Sequence, residues 1–140
     1  MTPGFVAAIL EAPATAIVTR ILLTFVFWAS GLVHLVNFGE SVEIFASLSF
    51  TQPALVVIAT AATQLIGSAL VISGRYVWLG AGALGVFTFL TILLVHNFWA
   101  MPEGPQKVNS FHTATEHVSM IGALVLVSVF MHQRQNRKFS

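Results

Sequence analysis

The sequence has no cysteine and very little charge. Without cysteine the chain cannot form disulfides, thiolate metal sites or cysteine-ligated iron–sulfur clusters. Charged residues make up 8% of the 140 residues and hydrophobic residues 56%, whereas soluble domains contain about 25% charged residues. So little charge cannot cover a surface in water, which makes the lipid bilayer the natural solvent. The net charge of +1, with no basic stripe, also excludes nucleic acid as a partner.

Four apolar runs approach or reach the roughly 20 residues that a membrane helix needs. They are Ile17–Val36, Ala54–Ser73, Val77–His96 and Ala114–His132. Because the runs are continuous and do not alternate with polar residues, they predict helices and not barrel strands. The sequence therefore predicts an all-α, four-helix transmembrane bundle over residues 17–132. Residues 1–16 are predicted to be a cytoplasmic or interfacial segment with a helix broken at Pro13, and residues 133–140 a basic cytoplasmic tail.

The breaks between the runs have recognisable causes. Pro53 suits the first turn of the second helix, where its missing N–H costs nothing. Gly74 and Arg75 leave only a short turn before the third helix, which predicts an antiparallel hairpin. The prolines and glycine of residues 102–105 predict a polar loop that continues to about Thr113.

Lysine and arginine near the helix ends predict the orientation in the membrane. The loop after the first helix has neither residue, and the loop after the third has only Lys107. Both termini are therefore predicted to be cytoplasmic. The predicted topology anchors are Arg20, Arg75, Arg134, Arg137 and Lys138.

Ionisable side chains inside membrane spans are costly and are functional candidates by default. In the predicted topology, one layer near the outer side contains His34, His96, His112, Glu116 and His117. Gln64 lies deeper, in the middle of the second helix, with Thr60 and Ser68 on the same helical face.

This polar layer is compatible with three kinds of chemistry. Imidazole and carboxylate groups bind zinc, copper or iron, and His34, His96 and His112 are the metal-ligand candidates. Histidine also passes protons near neutral pH, for example to a quinone headgroup. The ligand-binding or proton-relay candidates are His34, Gln64, His96, Glu116 and His117. In the third interpretation, the side chains only hydrogen-bond one another and close the mouth of the bundle.

Small residues repeat along the second and third helices. Ala59, Thr63 and Gly67 recur every four positions, and Gly82 and Gly85 follow a similar pattern. Small residues let helix backbones approach closely in lipid. The pattern predicts tight packing within one subunit or association between subunits.

The order of several short motifs resembles the DoxX family of small four-helix bacterial membrane proteins. An arginine opens the first helix, and a glycine lies three residues before a polar residue at its end. In this sequence the marks are Arg20, Gly31–His34, Gln64–Gly67, Gly74–Arg75, His96–Trp99, Glu116–His117 and Gly122–Leu124. The resemblance covers about Arg20 to Val127. The chain departs from the family pattern where His34 replaces a lysine, Gln64 a glutamate and Glu116–His117 a Lys-Asn pair.

Relatives in this family are linked to membrane oxidoreductase systems, including quinone-coupled thiosulfate oxidation and complexes with oxidative-stress proteins. The resemblance implies an accessory subunit of a redox complex in the bacterial inner membrane, whose polar layer contacts quinone or a partner subunit. Two alternatives remain: a stand-alone oxidoreductase or small-molecule or metal-site protein, and a structural packing subunit. Quinone is the candidate cofactor. The expected partners are membrane lipid and either other membrane subunits or further copies of the chain.

Overall fold

The protein is built almost entirely from helices. The computed structural model describes residues 2–136, and no strand occurs among them. In chain order the helices are α1 (Gly4–Glu11), α2 (Pro13–Leu23), α3 (Phe25–Val36), α4 (Phe38–Ser47), α5 (Pro53–Ser73), α6 (Val77–Leu94) and α7 (Pro105–Asn136), with a 3₁₀ turn at Phe98–Ala100 between the last two. The predicted all-helical class is therefore confirmed.

Helices α5 and α6 form the predicted antiparallel hairpin. Pro53 is the first residue of α5, where no backbone N–H is required. The helix ends at Gly74, whose φ of 74° is a left-handed conformation that glycine adopts without steric cost. Tyr76 is also left-handed, with a φ of 52°, and α6 begins at the next residue. This short turn packs the two helices against each other.

Two glycines allow the backbones of α5 and α6 to approach closely. A Cβ atom at Gly80 would lie 2.6 Å from the carbonyl oxygen of Gly67, and one at Gly67 would lie 2.8 Å from Leu84 Cγ. Gly67 thus serves the predicted close packing. A Cβ at Gly82 or Gly85 would meet nothing within 4 Å. These two glycines line an open groove between α6 and α7, so they do not serve close packing within the subunit.

The N-terminal segment contains the predicted break at Pro13. Helix α1 meets α2 at an angle of 66°, and Pro13 is the first residue of α2. Only Thr24 separates α2 from α3, and its buried hydroxyl donates a hydrogen bond to the carbonyl oxygen of Arg20 at 2.8 Å.

Helices α2 and α3 both pack along α5, in the opposite direction. The Arg20 guanidinium on α2 lies against Gly74 at the end of α5. Gly31 on α3 faces Leu65 near the middle of α5, where an added Cβ would lie 2.9 Å from Leu65 Cγ. Residue numbers therefore rise along α2 and α3 as they fall along α5.

Several boundaries differ from the predictions. The predicted first helix, Ile17–Val36, begins earlier, at Pro13, and is divided at Thr24. Helix α7 continues to Asn136, beyond the predicted His132.

The polar residues after the first apolar run form a further helix, α4, in which Ser41 and Phe45 contact His34 of α3 while Glu40 and Glu43 remain exposed. Helix α7 begins at Pro105, well before the predicted Ala114, so much of the predicted polar loop is helical. Helix α6 ends two residues before His96.

The outer surface of the bundle is apolar, as a lipid-facing surface requires. Leu22, Ile66, Val86 and Leu126 each expose more than three-fifths of their surface. By length and composition, three helical stretches of the described chain can cross a membrane: α5, Val77–Ala100 and α7. The number rises to four if α1 and α2 count as one bent span. The buried core consists of Phe27, Val71, Val77, Ala81, Leu84 and Leu124.

Candidate functional site

A cavity of about 380 Å³ lies between α3, α4, α5, α6 and the first half of α7. Its walls are mainly apolar, and the polar groups converge on it from separate helices. Five residues that the sequence singles out line it together: His34, Gln64, His96, Glu116 and His117. The structure thus brings these side chains to one place, while their binding role stays a prediction.

His34 is held by two serine hydroxyls. Its Nε2 lies 3.4 Å from Ser30 Oγ, one helical turn earlier on α3, and its Nδ1 lies 3.1 Å from Ser41 Oγ on α4. The edge of its ring also contacts Phe45 of α4, at a centroid distance of 5.7 Å. Contacts at both ring nitrogens fix the imidazole plane at the cavity wall.

Gln64 brings an incompletely satisfied amide to the cavity. Its side chain is 5% exposed, and its Nε2 donates a hydrogen bond to Ser30 Oγ at 3.3 Å. Its Oε1 receives no hydrogen bond from any residue in the described range. A buried acceptor without a donor costs about 1–3 kcal/mol. Gln64 therefore lines the cavity and leaves its buried Oε1 acceptor without a donor.

His96 and His117 form the opposite wall. Their rings meet edge to face, with centroids 5.3 Å apart and planes at 73°. His117 is half-buried, whereas Glu116 is exposed and contributes to the rim. His117 is therefore the more enclosed of these two neighbours on α7. Helical spacing alone did not show which of the two faces the bundle interior.

An apolar groove of about 460 Å³ adjoins this cavity between α5 and α6. The two spaces share the side chains of Phe45, Thr60, Phe87, Thr91 and Val95. The polar cavity therefore lies next to an apolar groove on the surface of the bundle, and these five side chains border both spaces. Sequence reasoning did not find the groove, because α4, which supplies Phe45, was not predicted.

The geometry does not assemble the predicted metal ligands. His112 is exposed, contacts the ring of Phe111 and does not line the cavity. In residues 2–136 no three His, Asp or Glu side chains are grouped so that they could hold a metal ion.

The predicted topology anchors have different surroundings. Arg20 and Arg134 line a separate cavity beside Gly74, and Arg75 is exposed in the adjacent turn. Arg137 and Lys138 lie outside the described residues. Since Gly74 is ten residues from Gln64 on α5, a rise of about 1.5 Å per residue puts the two cavities roughly 15 Å apart along that helix.

Sequence reasoning also missed Ser30 and Ser41. Ser30 lies four residues before His34 on one helix, a spacing that brings two side chains together and was visible in the sequence. Ser41 gave no such signal, because its position depends on α4 folding back towards α3.

The fold and the cavity define a class: helical membrane proteins with a polar cavity inside an apolar bundle. The DoxX family model matches residues 15–97, more than half of the chain. The chain belongs to the DoxX family.

Among curated proteins, the chain is similar to the inner membrane protein YphA of Escherichia coli (strain K12). The two are 24% identical over 120 residues, which cover 84% of this chain and 83% of the relative. No solved structure matches the chain. Family, relative and apolar helices together identify a multi-pass protein of the bacterial inner membrane.

Proposed function

We propose that this protein is an accessory subunit of a membrane redox complex, and that its cavity binds the headgroup of a quinone. The observation that carries the proposal is the convergence of His96, His117 and Gln64, whose Oε1 has no donor, on a cavity that adjoins an apolar groove. Ligand sites are mostly apolar with a few convergent polar groups. This arrangement suits a small molecule with a polar head and a long apolar tail.

The residues of the cavity match the hydrogen-bonding groups of a quinone ring. A neutral imidazole donates through one nitrogen and accepts through the other. His96 can therefore donate to a carbonyl oxygen, and His117, which hydrogen-bonds the backbone of Thr113, can accept through its other nitrogen. Gln64 Oε1 can accept a hydroxyl of the reduced form. When bound, the quinone supplies the two-electron chemistry. Without cysteine the chain offers no thiol redox pair or thiolate-ligated iron–sulfur cluster, so in this proposal a partner subunit would supply the electrons and the histidines would hold or pass protons at the headgroup.

The apolar groove gives the tail of the ligand a route from the lipid. Its walls include the apolar side chains of Phe50, Leu55, Leu90 and Leu94 on α5, α6 and the segment between α4 and α5. Leu55, Leu90 and Leu94 are exposed on the outside of the bundle. A tail lying in this groove would keep the headgroup beside Gln64 and the isoprenoid chain against lipid.

The proposed function includes a four-span topology with both termini in the cytoplasm. The contacts of Arg20 with Gly74 and of Gly31 with Leu65 support α2 and α3 as one span antiparallel to α5. Arginines gather at the end of the bundle near Gly74, and this bias favours the cytoplasmic side for that end. The polar cavity would then open towards the periplasmic half of the membrane.

The first test is the quinone content of the protein purified from native membranes in a mild detergent. Quinone is extracted and quantified by mass spectrometry, and co-purified redox subunits are identified in the same sample. We expect Gln64→Leu and His96→Ala to lower quinone occupancy about tenfold, since each loses a hydrogen bond in a buried site. His112→Ala is the matched control, because it removes an imidazole from the first turns of α7, at the same end of the bundle but outside the cavity. Equal quinone content in all four proteins would contradict the proposal.

A packing subunit is the second candidate, and one observation favours it. The cavity side chains partly satisfy one another, through Ser30, His34 and Ser41 on one wall and the ring contact of His96 with His117 on the other. In that case the two cavity variants leave the turnover of the complex unchanged. If they lower turnover while the complex stays intact, the packing role is insufficient.

A further inference from the structure

A second cavity lies at the other end of the bundle, beside the turn between α5 and α6. It measures about 270 Å³ and joins three elements: α2, the end of α5 and the last turns of α7. Its lining residues are Arg20, Ser73, Gly74, Met131, Arg134 and Gln135. Every ionisable group in this lining is therefore an arginine.

The structure holds the Arg20 side chain in place. Its Nε donates a hydrogen bond to the carbonyl oxygen of Ala16 at 2.8 Å, which fixes the guanidinium plane. One face of the group lies on Gly74, where an added Cβ would overlap Nη1. Glycine at this position thus provides the left-handed turn and also the space that Arg20 occupies. The two terminal nitrogens of Arg20 remain available as donors.

Neither arginine of this cavity forms an ion pair within the described part of the chain. The ion pair found in residues 2–136 joins Lys107 to Glu103, at the start of α7. Glu11 lines the neighbouring cavity, which it shares with Arg134, but lies beyond ion-pair distance of either guanidinium. Two arginines converging without a carboxylate favour an external anion. The planar fork of arginine matches phosphate in particular.

The surroundings suit a phosphate that carries acyl chains. The neighbouring cavity, of about 410 Å³, is lined by Leu10 and Phe130, both more than half exposed, and by the polar side chains of Glu11, Gln133 and Arg134. Met131 adds an apolar wall beside Arg20. The apolar side chains of Met131, Phe130 and Leu10 thus lie on one side of the basic groups, towards α1. A free phosphate ion would leave these side chains uncovered, whereas a phospholipid would cover them.

We propose that Arg20 and Arg134 bind the phosphate of an anionic phospholipid, with its acyl chains lying against Met131, Phe130 and α1. Basic pockets between membrane helices are known to bind anionic lipid headgroups. This site is separate from the quinone cavity, and its occupancy does not depend on the proposed redox function.

The test is the thermal stability of the full-length protein in detergent, titrated with phosphatidylglycerol or with phosphatidylcholine of the same acyl chains. We expect phosphatidylglycerol to stabilise the wild type more than phosphatidylcholine does. Arg20→Gln and Arg134→Gln should each weaken the apparent affinity about tenfold, because each removes charge-assisted hydrogen bonds to phosphate. Arg134 is exposed, so its replacement keeps the test decisive even if the Arg20 variant folds poorly.

Arg75→Gln is the matched control. This variant removes one positive charge from the same end of the bundle, in the turn next to Gly74, but Arg75 does not line the cavity. Its response to phosphatidylglycerol should equal that of the wild type. An equal loss in all three variants would reduce the effect to general charge attraction and overturn the proposal. If inorganic phosphate at millimolar concentration gives the full stabilisation, the site takes a free anion, and the lipid assignment is wrong.

Discussion

The close contact between α5 and α6 gives a stability prediction with an internal control. Gly80→Ala would put a Cβ 2.6 Å from the carbonyl oxygen of Gly67 and 2.8 Å from Leu70 Cβ. Real Cβ atoms essentially never approach other heavy atoms within 3.0 Å. The two helices must therefore separate. Overpacking of this kind costs about 1–3 kcal/mol.

Gly82→Ala makes the same chemical change one half-turn along α6, where an added Cβ meets nothing within 4 Å. There alanine gains up to about 1 kcal/mol from its higher helix propensity. Because both variants gain this propensity, they should differ in unfolding free energy by the overpacking cost alone, about 1–3 kcal/mol.

Reversible unfolding in mixed detergent micelles, followed by tryptophan fluorescence, measures this difference. Trp78 is on the same helix and reports its environment. If Gly80→Ala and Gly82→Ala unfold within about 0.5 kcal/mol of each other, the size of an ordinary surface effect, the close packing at Gly80 is refuted. A crosslink between cysteines introduced on the two helices would then show whether their spacing differs from that described.

Two further predictions concern the ends of the bundle. Gly74→Ala should destabilise the protein by at least about 1–2 kcal/mol, because alanine is unfavourable at a φ of 74° and its Cβ displaces Arg20; thermal unfolding in detergent measures the loss, and no change would contradict the turn geometry. Ser41→Ala should cost about 1 kcal/mol by removing the partner of His34 Nδ1. Ser47→Ala on the exposed face of α4 should be nearly neutral in the same assay, and equal effects would contradict the role of Ser41.

Much of the fold follows from the sequence because membrane spans carry a strong local signal. The limits of α5 and the start of α6 were predicted within a residue, since Pro53 and Gly74 mark them chemically. Helix α4 was missed because its polar residues read as a loop, and only packing against α5 makes that segment a helix. The early start of α7 was missed because Pro102, Gly104 and Pro105 together indicated a longer loop. The helix instead begins at Pro105 itself.

The polar cavity was partly accessible to the same reasoning. Depth along antiparallel helices was enough to group His34, His96 and His117 in one layer. It did not exclude His112, because the side on which a residue of α7 faces depends on how that helix packs against α6. Contacts between distant segments create the cavity, the wall that it shares with the groove, and the common cavity of Arg20 and Arg134. No local pattern encodes those contacts.

The departures from the family pattern and the structure together suggest that the two ends of the bundle suit different ligands. A lysine at position 34 would offer donors only, whereas His34 both donates and accepts and is held by two hydroxyls. Gln64 likewise replaces a carboxylate with a neutral amide that both donates and accepts. These exchanges suit an uncharged headgroup such as a quinone ring. The opposite cavity keeps two arginines that form no ion pair within the described chain, which suits a phosphate. Measuring both ligands on both variants tests this difference directly. His34→Lys should impair quinone binding and leave the response to phosphatidylglycerol intact. Arg134→Gln should weaken the response to phosphatidylglycerol and leave quinone binding intact.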